Sequence, residues 1–255
     1  MKKLLISSIV AAALVLSFAN VNVFAQSSKA AIGNSSLAII SDSSAIATTS
    51  TATPWKTIME ANIKTANDKG FAFDVALQTG IFTDTSVSSR KGAKAAASAS
   101  GRVLVRVQVT PEGEAPEYAQ PSADLDVVSN PVDPHGVTYD YRNQLLEASF
   151  QGLCIDYETD PLVPTLLIDC DFETVRFMLD TLQAHSFNFY YGLTDSGVYN
   201  VQVQTKLITD ATGQDDEDAK GVASARALVG LGSMFVENIR MVKGSGWEAP
   251  TIELR

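Results

Sequence analysis

Hydrophobic and polar residues alternate along most of this chain, which is the pattern of β-strands. The clearest stretch is Ser186–Thr209, where Phe187 and Phe189 alternate with polar residues before a short polar break, and Val201 and Val203 do so after it. Side chains on a strand point to opposite faces with period two. The stretch therefore predicts two half-buried strands joined as a hairpin, central to one sheet, with these four side chains in the core.

The same alternation recurs in Phe71–Gln78 and in the valine row of Arg102–Thr110. Pro54–Gly70 fits either a helix or a strand, and we favour a strand that forms a hairpin with Phe71–Gln78 because that partner is clear. Near the end of the chain, Gly230 and Gly232 follow an alternating run and indicate a β-bulge.

One stretch, Phe172–His185, carries apolar residues at helical spacing instead. Acidic residues stand near its start, as is usual at a helix N-terminus, and the apolar positions are Val175, Met178, Leu179 and Leu182. The pattern as a whole predicts an all-β protein, a two-sheet antiparallel β-sandwich of jelly-roll-like form with one short helix over an open end.

The first 25 residues have the features of a secretory signal peptide. Lys2 and Lys3 precede the apolar run Leu4–Phe18, and small residues lead up to a cleavage site after Ala25. The apolar run is shorter than the roughly 20 residues of a membrane-spanning helix, and we find no later run long enough. We therefore expect a secreted protein (extracellular, cell-surface or periplasmic) with no transmembrane segment in its mature chain.

The mature chain divides by composition. Residues 26–53 are rich in Ser, Ala and Thr and predict a flexible leader, although Ser36–Ile40 could add an edge strand to this molecule or to a neighbour. Residues 54–255 predict a single β-sandwich domain. Within it, the proline-rich and acidic region 111–143 predicts a long loop.

Charge removes some classes of partner. The chain has 29 acidic and 19 basic residues and a net charge of −10, and loss of the signal peptide with its two lysines makes it more acidic still. An acidic surface repels nucleic acid and anionic lipid. We therefore expect no nucleic-acid partner.

Two cysteines, Cys154 and Cys170, occur in a chain predicted to leave the cytoplasm, which favours a disulfide. A closed loop of about 15 residues would stabilise the fold by roughly 3 kcal/mol in the chain-entropy model. Two buried thiols or a metal pair are the alternatives.

Acidic residues are dense enough in one loop to suggest calcium, which prefers carboxylate and carbonyl oxygens. These candidates do not have EF-hand spacing, and a solvated loop is the alternative; they are Asp210, Asp215, Asp216, Glu217 and Asp218. No other cofactor is expected. Three tyrosines could stack on sugar rings if they are exposed, or belong to the core, namely Tyr190, Tyr191 and Tyr199.

Catalytic motifs are scarce. The only histidines are His135, in a turn-like sequence, and His185, at the end of the predicted helix, and the chain has no G-x-S-x-G motif. Paired carboxylates could hydrolyse glycosides, but sequence spacing does not bring two of them together. We predict a protein that is not an enzyme.

Several blocks of this sequence resemble blocks in uncharacterised exported microbial proteins. The resemblance implies a secreted β domain and transfers no site residues; the blocks are Trp55–Thr57, Ile63–Thr65, Ala184–Phe189, Val201–Lys206 and Gly230–Val242.

Together these observations predict a secreted, non-enzymatic β-sandwich that acts as a structural module of a cell surface, a matrix or an assembly. Its leader could donate a strand to a neighbouring copy, since an open sheet edge invites strand addition. The partners we expect are a second copy of the chain, or a cell-surface or glycan partner. An extracellular glycan- or calcium-binding module is the alternative, and a carboxylate-based hydrolase is third.

Overall fold

The structure is a computed structural model that describes residues 30–35, 39–45, 48–67, 69–121, 136–152, 154–158 and 166–240. All regular secondary structure in this part of the chain is β-strand. Within the same ranges there is no helix long and apolar enough to cross a membrane. The predicted signal peptide and His135 lie outside the described residues.

The strands fall into a leader group, a long central group and a closing group. The first are β1 (Ala30–Ser35), β2 (Ile39–Ala45), β3 (Thr49–Ala52) and β4 (Lys56–Thr65). The next are β5 (Lys69–Ser89), β6 (Lys94–Pro111), β7 (Glu117–Tyr118), β8 (Val137–Ser149), β9 (Cys154–Glu158) and β10 (Leu166–Cys170). The last are β11 (Glu173–Thr194), β12 (Gly197–Thr212), β13 (Gln214–Asp215) and β14 (Ala219–Arg240).

Two antiparallel sheets pack against each other, which confirms the predicted sandwich. The first, which we call sheet A, has the order β1-β14-β5-β11, with β2 and β13 also paired to β14. The second, sheet B, has the order β3-β12-β6-β7, with β4 also on β12 and β8 on β6. The strands β9 and β10 form a separate two-stranded sheet.

The predicted helix over Phe172–His185 is wrong, because these residues belong to strand β11. Its backbone pairs with β5 from Glu173 to Tyr191 without a register shift. The apolar residues that suggested a helix lie on both faces of this strand, where Leu182 is 59% exposed and Val175 40% exposed. Since neither face is fully covered, the apolar positions lack the period of two that marks a half-buried strand.

The predicted hairpin Ser186–Thr209 forms two strands, but they do not pair with each other. Strand β11 lies in sheet A and β12 in sheet B, so the short connection between them crosses the sandwich. The hairpin predicted for β4 and β5 is wrong in the same way, because β4 pairs with β12. Alternation identifies a strand and its faces, but it does not identify the strand's hydrogen-bonded neighbour.

Three of the four side chains predicted for the core of this stretch are there. Phe189, Val201 and Val203 are fully buried, whereas Phe187 is 39% exposed. Phe187 faces the same side as Phe189 but sits on a strand that sheet B covers only in part. The prediction for Phe187 is therefore wrong: the side chain lies on the predicted inner face, but sheet B does not fully cover it there.

The segment predicted as a flexible leader is built into the sandwich where the structure describes it. Strands β1 and β2 pair with β14, and β3 pairs with β12. Backbone hydrogen bonds to a sheet edge do not need a hydrophobic face, so a Ser/Ala/Thr-rich sequence can supply these strands. The described strands of this region therefore pair within this molecule.

The predicted loop 111–143 is shorter than expected. It contains the two-residue strand β7, and β8 already begins at Val137. Residues 122–135 of the predicted loop lie outside the described residues.

The bulge indicated by Gly230 and Gly232 is confirmed by a register shift in the pairing of β14 with β5 between Val229 and Gly232. Before the shift the buried residues have odd numbers, and after it they are Met234 and Val236. The bulge thus turns the other face of the strand toward the core.

The core has two parts, at opposite ends of the long strands. The aromatic end is built from large side chains, among them Phe71, Phe73, Leu77, Phe189, Tyr199 and Met234. The alanine end is built from Val87, Ala95, Ala97, Ala99, Ala211, Ala219, Ala223 and Ala225. Between the two parts, β5 and β12 carry buried hydroxyl groups, which include those of Thr83, Thr85 and Thr209.

Candidate functional site

The longest strand at a sheet edge is β11, and its outer edge is the candidate site. At Tyr190 the backbone N–H and C=O point away from β5 and bond to the C=O and N–H of Gln120, both at 2.7 Å. Backbone groups on a strand alternate in direction. Even-numbered residues from Thr174 to Tyr190 therefore present their N–H and C=O groups to this outer edge, and within the described residues only Gln120 pairs with it.

The side chains of β11 are exposed on both faces. Every residue from Asp171 to Asp180 is exposed. Val175, Phe177 and Leu179 lie opposite the buried Val87, Thr85 and Thr83 of β5, so they share the inner face of sheet A. Sheet A therefore extends beyond sheet B at this strand and leaves an apolar inner surface uncovered.

On the outer face, Met178 and Leu182 are 56% and 59% exposed. Arg176 is fixed there by a two-point contact with Asp84 of β5, where Nε and Nη2 lie 2.9 and 2.5 Å from the two carboxylate oxygens. The hydrogen bonds that Arg176 donates to the Asp84 carboxylate raise the pKa of its guanidinium. Arg176 and Asp180 thus place one positive and one negative charge four residues apart on the same face.

The composition of β11 contains a signal of its edge position that the helix prediction missed. Natural edge strands are commonly protected by lysine or proline. The stretch from Glu173 to Tyr191 has neither residue and carries apolar side chains at both even and odd positions. The stretch therefore lacks these two protections of an edge strand, although its sequence was interpreted as a helix.

The acidic residues proposed for calcium do not form one site. Asp210 lies on β12 and accepts a hydrogen bond from Ser100 Oγ at 3.1 Å, while Asp215 is paired with Lys220 in the β13–β14 ladder. Glu217 is exposed. Among the described residues, no three of His, Cys, Asp or Glu lie close enough to hold a metal ion.

The remaining two candidate acids are engaged inside the turn between β13 and β14. The Asp218 carboxylate lies 2.7 Å from Arg90 Nε and 3.4 Å from Lys91 Nζ. Its pKa is lowered, mainly by the hydrogen bond from Arg90. The Asp216 carboxylate accepts a hydrogen bond from Gln214 Nε2 at 2.5 Å. These contacts tie the turn to the sandwich.

The two cysteines are directly opposite each other. Cys154 and Cys170 are paired positions in the antiparallel ladder of β9 and β10, and Cys170 is 2% exposed. Opposed residues in such a ladder have Cα atoms about 4.5–5.5 Å apart, within the range that a disulfide spans. The register favours the predicted disulfide, and titration of the unreduced protein for free thiols would test it; two reactive thiols would contradict it.

The tyrosines suggested for sugar stacking divide between core and surface. Tyr199 is 5% exposed and packs edge-on against Phe71, with ring centroids 5.2 Å apart. Tyr191 stacks on Phe71 and donates a hydrogen bond to the carboxylate of Glu117 at 2.5 Å. Burial, and then this carboxylate, raise the pKa of the Tyr191 hydroxyl. Tyr190 is the exposed member, at 43%.

His185 lies within β11, so its predicted position at a helix end is wrong. Its Nε2 atom is enclosed and has no hydrogen-bond partner in the described part of the molecule. The ring is on the inner face, opposite Leu77.

The outer face of sheet B carries a network of amides beside two aromatic rings. Arg106 is 6% exposed because its guanidinium lies between Trp55 and Tyr118, 4.2 and 4.7 Å from the ring centroids. Arg106 Nε donates to Gln204 Oε1 at 2.8 Å, and Gln204 Nε2 donates to Gln108 Oε1 at 3.0 Å. Side-chain hydrogen bonds order this face.

Comparisons with known proteins give no family for this chain. No protein-family model and no curated protein matches it. A solved CocE/NonD family hydrolase from Staphylococcus aureus is 12% identical, with 81% of this chain and 33% of that chain covered and a TM-score of 0.16. Solved structures of the Gt and Gx strains of infectious bursal disease virus are each 9% identical in sequence to this chain. Their coverage is 84% and 81% of this chain and 43% and 42% of theirs, with TM-scores of 0.14 and 0.15.

The chain thus spans less than half the length of each of these solved structures. With TM-scores this low, the likeness carries no inference about fold or activity.

Proposed function

We propose that the mature protein is a secreted, non-enzymatic structural module of a cell surface or extracellular matrix, and that it assembles through the outer edge of β11. The observation that carries the proposal is this long edge, with which, among the described residues, only Gln120 pairs. An unpaired edge offers a row of backbone donors and acceptors to another strand. Exposed apolar residues along it, such as Phe177 and Leu182, add area to such a contact.

The other long strands support this choice of edge. On the far side of sheet A, β14 is covered by β1 and β2, and in sheet B β12 is covered by β3 and β4. The leader strands are therefore already used within the molecule. For this reason we place the assembly contact on β11 and no longer propose strand donation by residues 26–53.

Export agrees with this role. The predicted signal peptide would deliver the chain to an oxidising compartment, where the Cys154–Cys170 pair can form a disulfide. The acidic mature chain would stay soluble until it meets a complementary edge.

The proposal is tested in cells that produce the protein, by dividing a culture into cytoplasm, surface or matrix material, and medium. We expect the wild type in surface or matrix material. Leu182→Lys places a charge on the β11 edge and should move most of the protein into the medium. Leu231→Lys is the matched control, because Leu231 is 63% exposed on the central strand β14.

A wild-type protein that stays in the cytoplasm would overturn the proposal. So would equal distributions for the wild type and Leu182→Lys, since the edge would then have no part in retention.

Glycan binding by the outer face of sheet B is a second candidate. Asn200, Gln202 and Gln204 align there along β12, and Arg106, which contacts Gln204, lies over the ring of Trp55. Amides near an aromatic ring suit sugar hydroxyls and ring faces. A glycan array with the wild type and Gln202→Ala would test it. Binding that is lost in the variant supports this candidate, and an array without binding removes it.

A further inference from the structure

We propose that the partner of β11 is β11 of a second copy of this chain, paired antiparallel about a two-fold axis at Met178. The inference rests on the proposed function, because it names the partner of the same edge. The pairing would join sheet A of the two copies into one continuous sheet.

The backbone allows this register. Tyr190 directs its N–H and C=O to the outer edge, and β11 pairs with β5 without a shift from Glu173 to Tyr191. Every even-numbered residue in this range therefore directs its backbone N–H and C=O groups to the outer edge of β11. In an antiparallel ladder, two opposed residues exchange both hydrogen bonds only if both face the partner. A two-fold axis at Met178 opposes Met178 to itself and Thr174 to Leu182, which satisfies this condition.

Charge selects this register among its neighbours. With the axis at Met178, Arg176 of one copy lies opposite Asp180 of the other, and the symmetry forms this pair twice. An axis at Arg176 or at Asp180 would instead place like charges directly opposite each other, which is unfavourable. An axis at Phe177 or at Leu179 also opposes even-numbered residues, but it leaves Arg176 and Asp180 without an opposite charge across the ladder. Because Arg176 already contacts Asp84, the pairing would hold its guanidinium between two carboxylates.

The apolar side chains agree with the same register. It places Phe177 of one copy opposite Leu179 of the other, and both side chains lie on the uncovered inner face of sheet A. Opposed residues in a ladder point to the same face, so the two apolar surfaces would merge. The ladder would run from Glu173 to Gln183, well short of Tyr190, and the contact with Gln120 could stay in place.

Cysteine cross-linking of the full mature chain tests the register. Met178→Cys should give a reducible covalent dimer under mild oxidation, because the axis brings this position next to its own copy. Leu182→Cys is the matched control, equally exposed on the same face, and it should not cross-link to itself since the two copies of this position would be about 26 Å apart along the strands. A mixture of Thr174→Cys and Leu182→Cys should cross-link.

No dimer from Met178→Cys, or equal cross-linking of Met178→Cys and Leu182→Cys, would overturn the inference.

Analytical ultracentrifugation tests the charge pair in the same full-length mature protein. The wild type should be in equilibrium between monomer and dimer, and Asp180→Arg, which opposes Arg to Arg176, should raise the dimer Kd about tenfold or more. Glu217→Arg makes the same charge change at an exposed turn and should leave the Kd unchanged. A monomeric wild type at all concentrations would overturn the inference. If Leu182→Lys still released the protein from surface material, the edge would then bind a different protein, and the proposed function would stand.

Discussion

The two ends of the sandwich are made by the same long strands but are closed in different ways. At the aromatic end, large rings and aliphatic chains such as Phe73 and Leu77 fill the space between the sheets. At the alanine end the sheets come so close that a Cβ atom on Gly221 would overlap the carbonyl oxygen of Ala96. The aromatic end is thus stabilised by large side chains that fill the space between the sheets, whereas the alanine end requires small side chains because the sheets lie close together.

Hydrogen bonds replace volume toward the alanine end. The Gln214 side chain accepts from the backbone N–H of Ala96 at 2.9 Å and donates to the backbone C=O of Lys94 at 3.4 Å. Nearer the middle of β5, the hydroxyl groups of Thr83 and Thr85 bond to the side chain of Gln144 on β8. Gln144 accepts from Thr83 Oγ1 at 2.7 Å and donates to Thr85 Oγ1 at 2.6 Å. Truncation of a side chain should therefore destabilise the aromatic end, whereas enlargement of a side chain or loss of a hydrogen-bond partner should destabilise the region toward the alanine end.

The largest effect is expected from truncation at the aromatic end. Phe73→Ala removes a ring that is 1% exposed and should lower the free energy of unfolding by about 3–5 kcal/mol, because the cavity cannot fully collapse. Urea denaturation measures the change. Phe235→Ala is the control: this ring is 42% exposed, and its truncation should cost less than about 1 kcal/mol. Equal losses in the two variants would contradict the comparison.

Next in size is the loss of the buried amide between the two ends. Gln144→Leu leaves Thr83, Thr85 and the backbone C=O of Phe177 without the partner they share, and should cost up to about 3 kcal/mol. Asn143→Leu, on the exposed face of the same strand, should be close to neutral in the same urea titration. A neutral Gln144→Leu would show that packing alone holds this region.

Enlargement at the alanine end should cost about 1–3 kcal/mol. Ala223→Leu adds volume at a position that is 1% exposed and faces alanines of the opposite sheet. Ala184→Leu, at an exposed position of β11, is the control and should change the free energy of unfolding little. A stabilised Ala223→Leu variant would mean that the alanine end contains unfilled space.

The smallest effect concerns the ion pair at the tip of the alanine end. Asp218→Asn should lower the melting temperature slightly at neutral pH, because the contacts with Arg90 and Lys91 lower the pKa of the Asp218 carboxyl. A lowered folded-state pKa contributes stability above the unfolded value and loses it as the pH falls. The gap between wild type and Asp218→Asn should therefore close below about pH 4.

Glu217→Gln, at the exposed neighbouring position, should show no such gap at any pH. A gap that widened in acid would contradict the ion pair as its cause.

Sequence alternation was enough to predict the strands and the sandwich, because burial on one face imposes a period of two. It placed Phe189, Val201 and Val203 in the core correctly. It failed at Phe187 and over Phe172–His185, where sheet A extends beyond sheet B and neither face of β11 is fully covered. The extent of the opposing sheet is a property of the whole fold, so no local pattern reports it.

The candidate site was missed for the same reason. Whether β11 has a neighbour on its outer side depends on strand order, and strand order comes from pairings such as Tyr191 with Phe71, which are far apart in the chain. The calcium candidates show the opposite limit: acids that are dense in sequence, such as Asp210 and Asp218, take different partners in space.

The crossing of the chain from one sheet to the other has a consequence for how the protein folds. Because β5 is followed by β6, and β11 by β12, and both of these following strands lie in sheet B, the three long strands of sheet A are not consecutive in the chain. The members of the pairs Phe71–Tyr191 and Gly70–Ile239 must find each other across more than a hundred residues of chain. Such long loop closures make the search slow, on the scale of milliseconds to seconds for β-sandwiches, so newly synthesised chains would present many strand edges before β5 acquires its two neighbours.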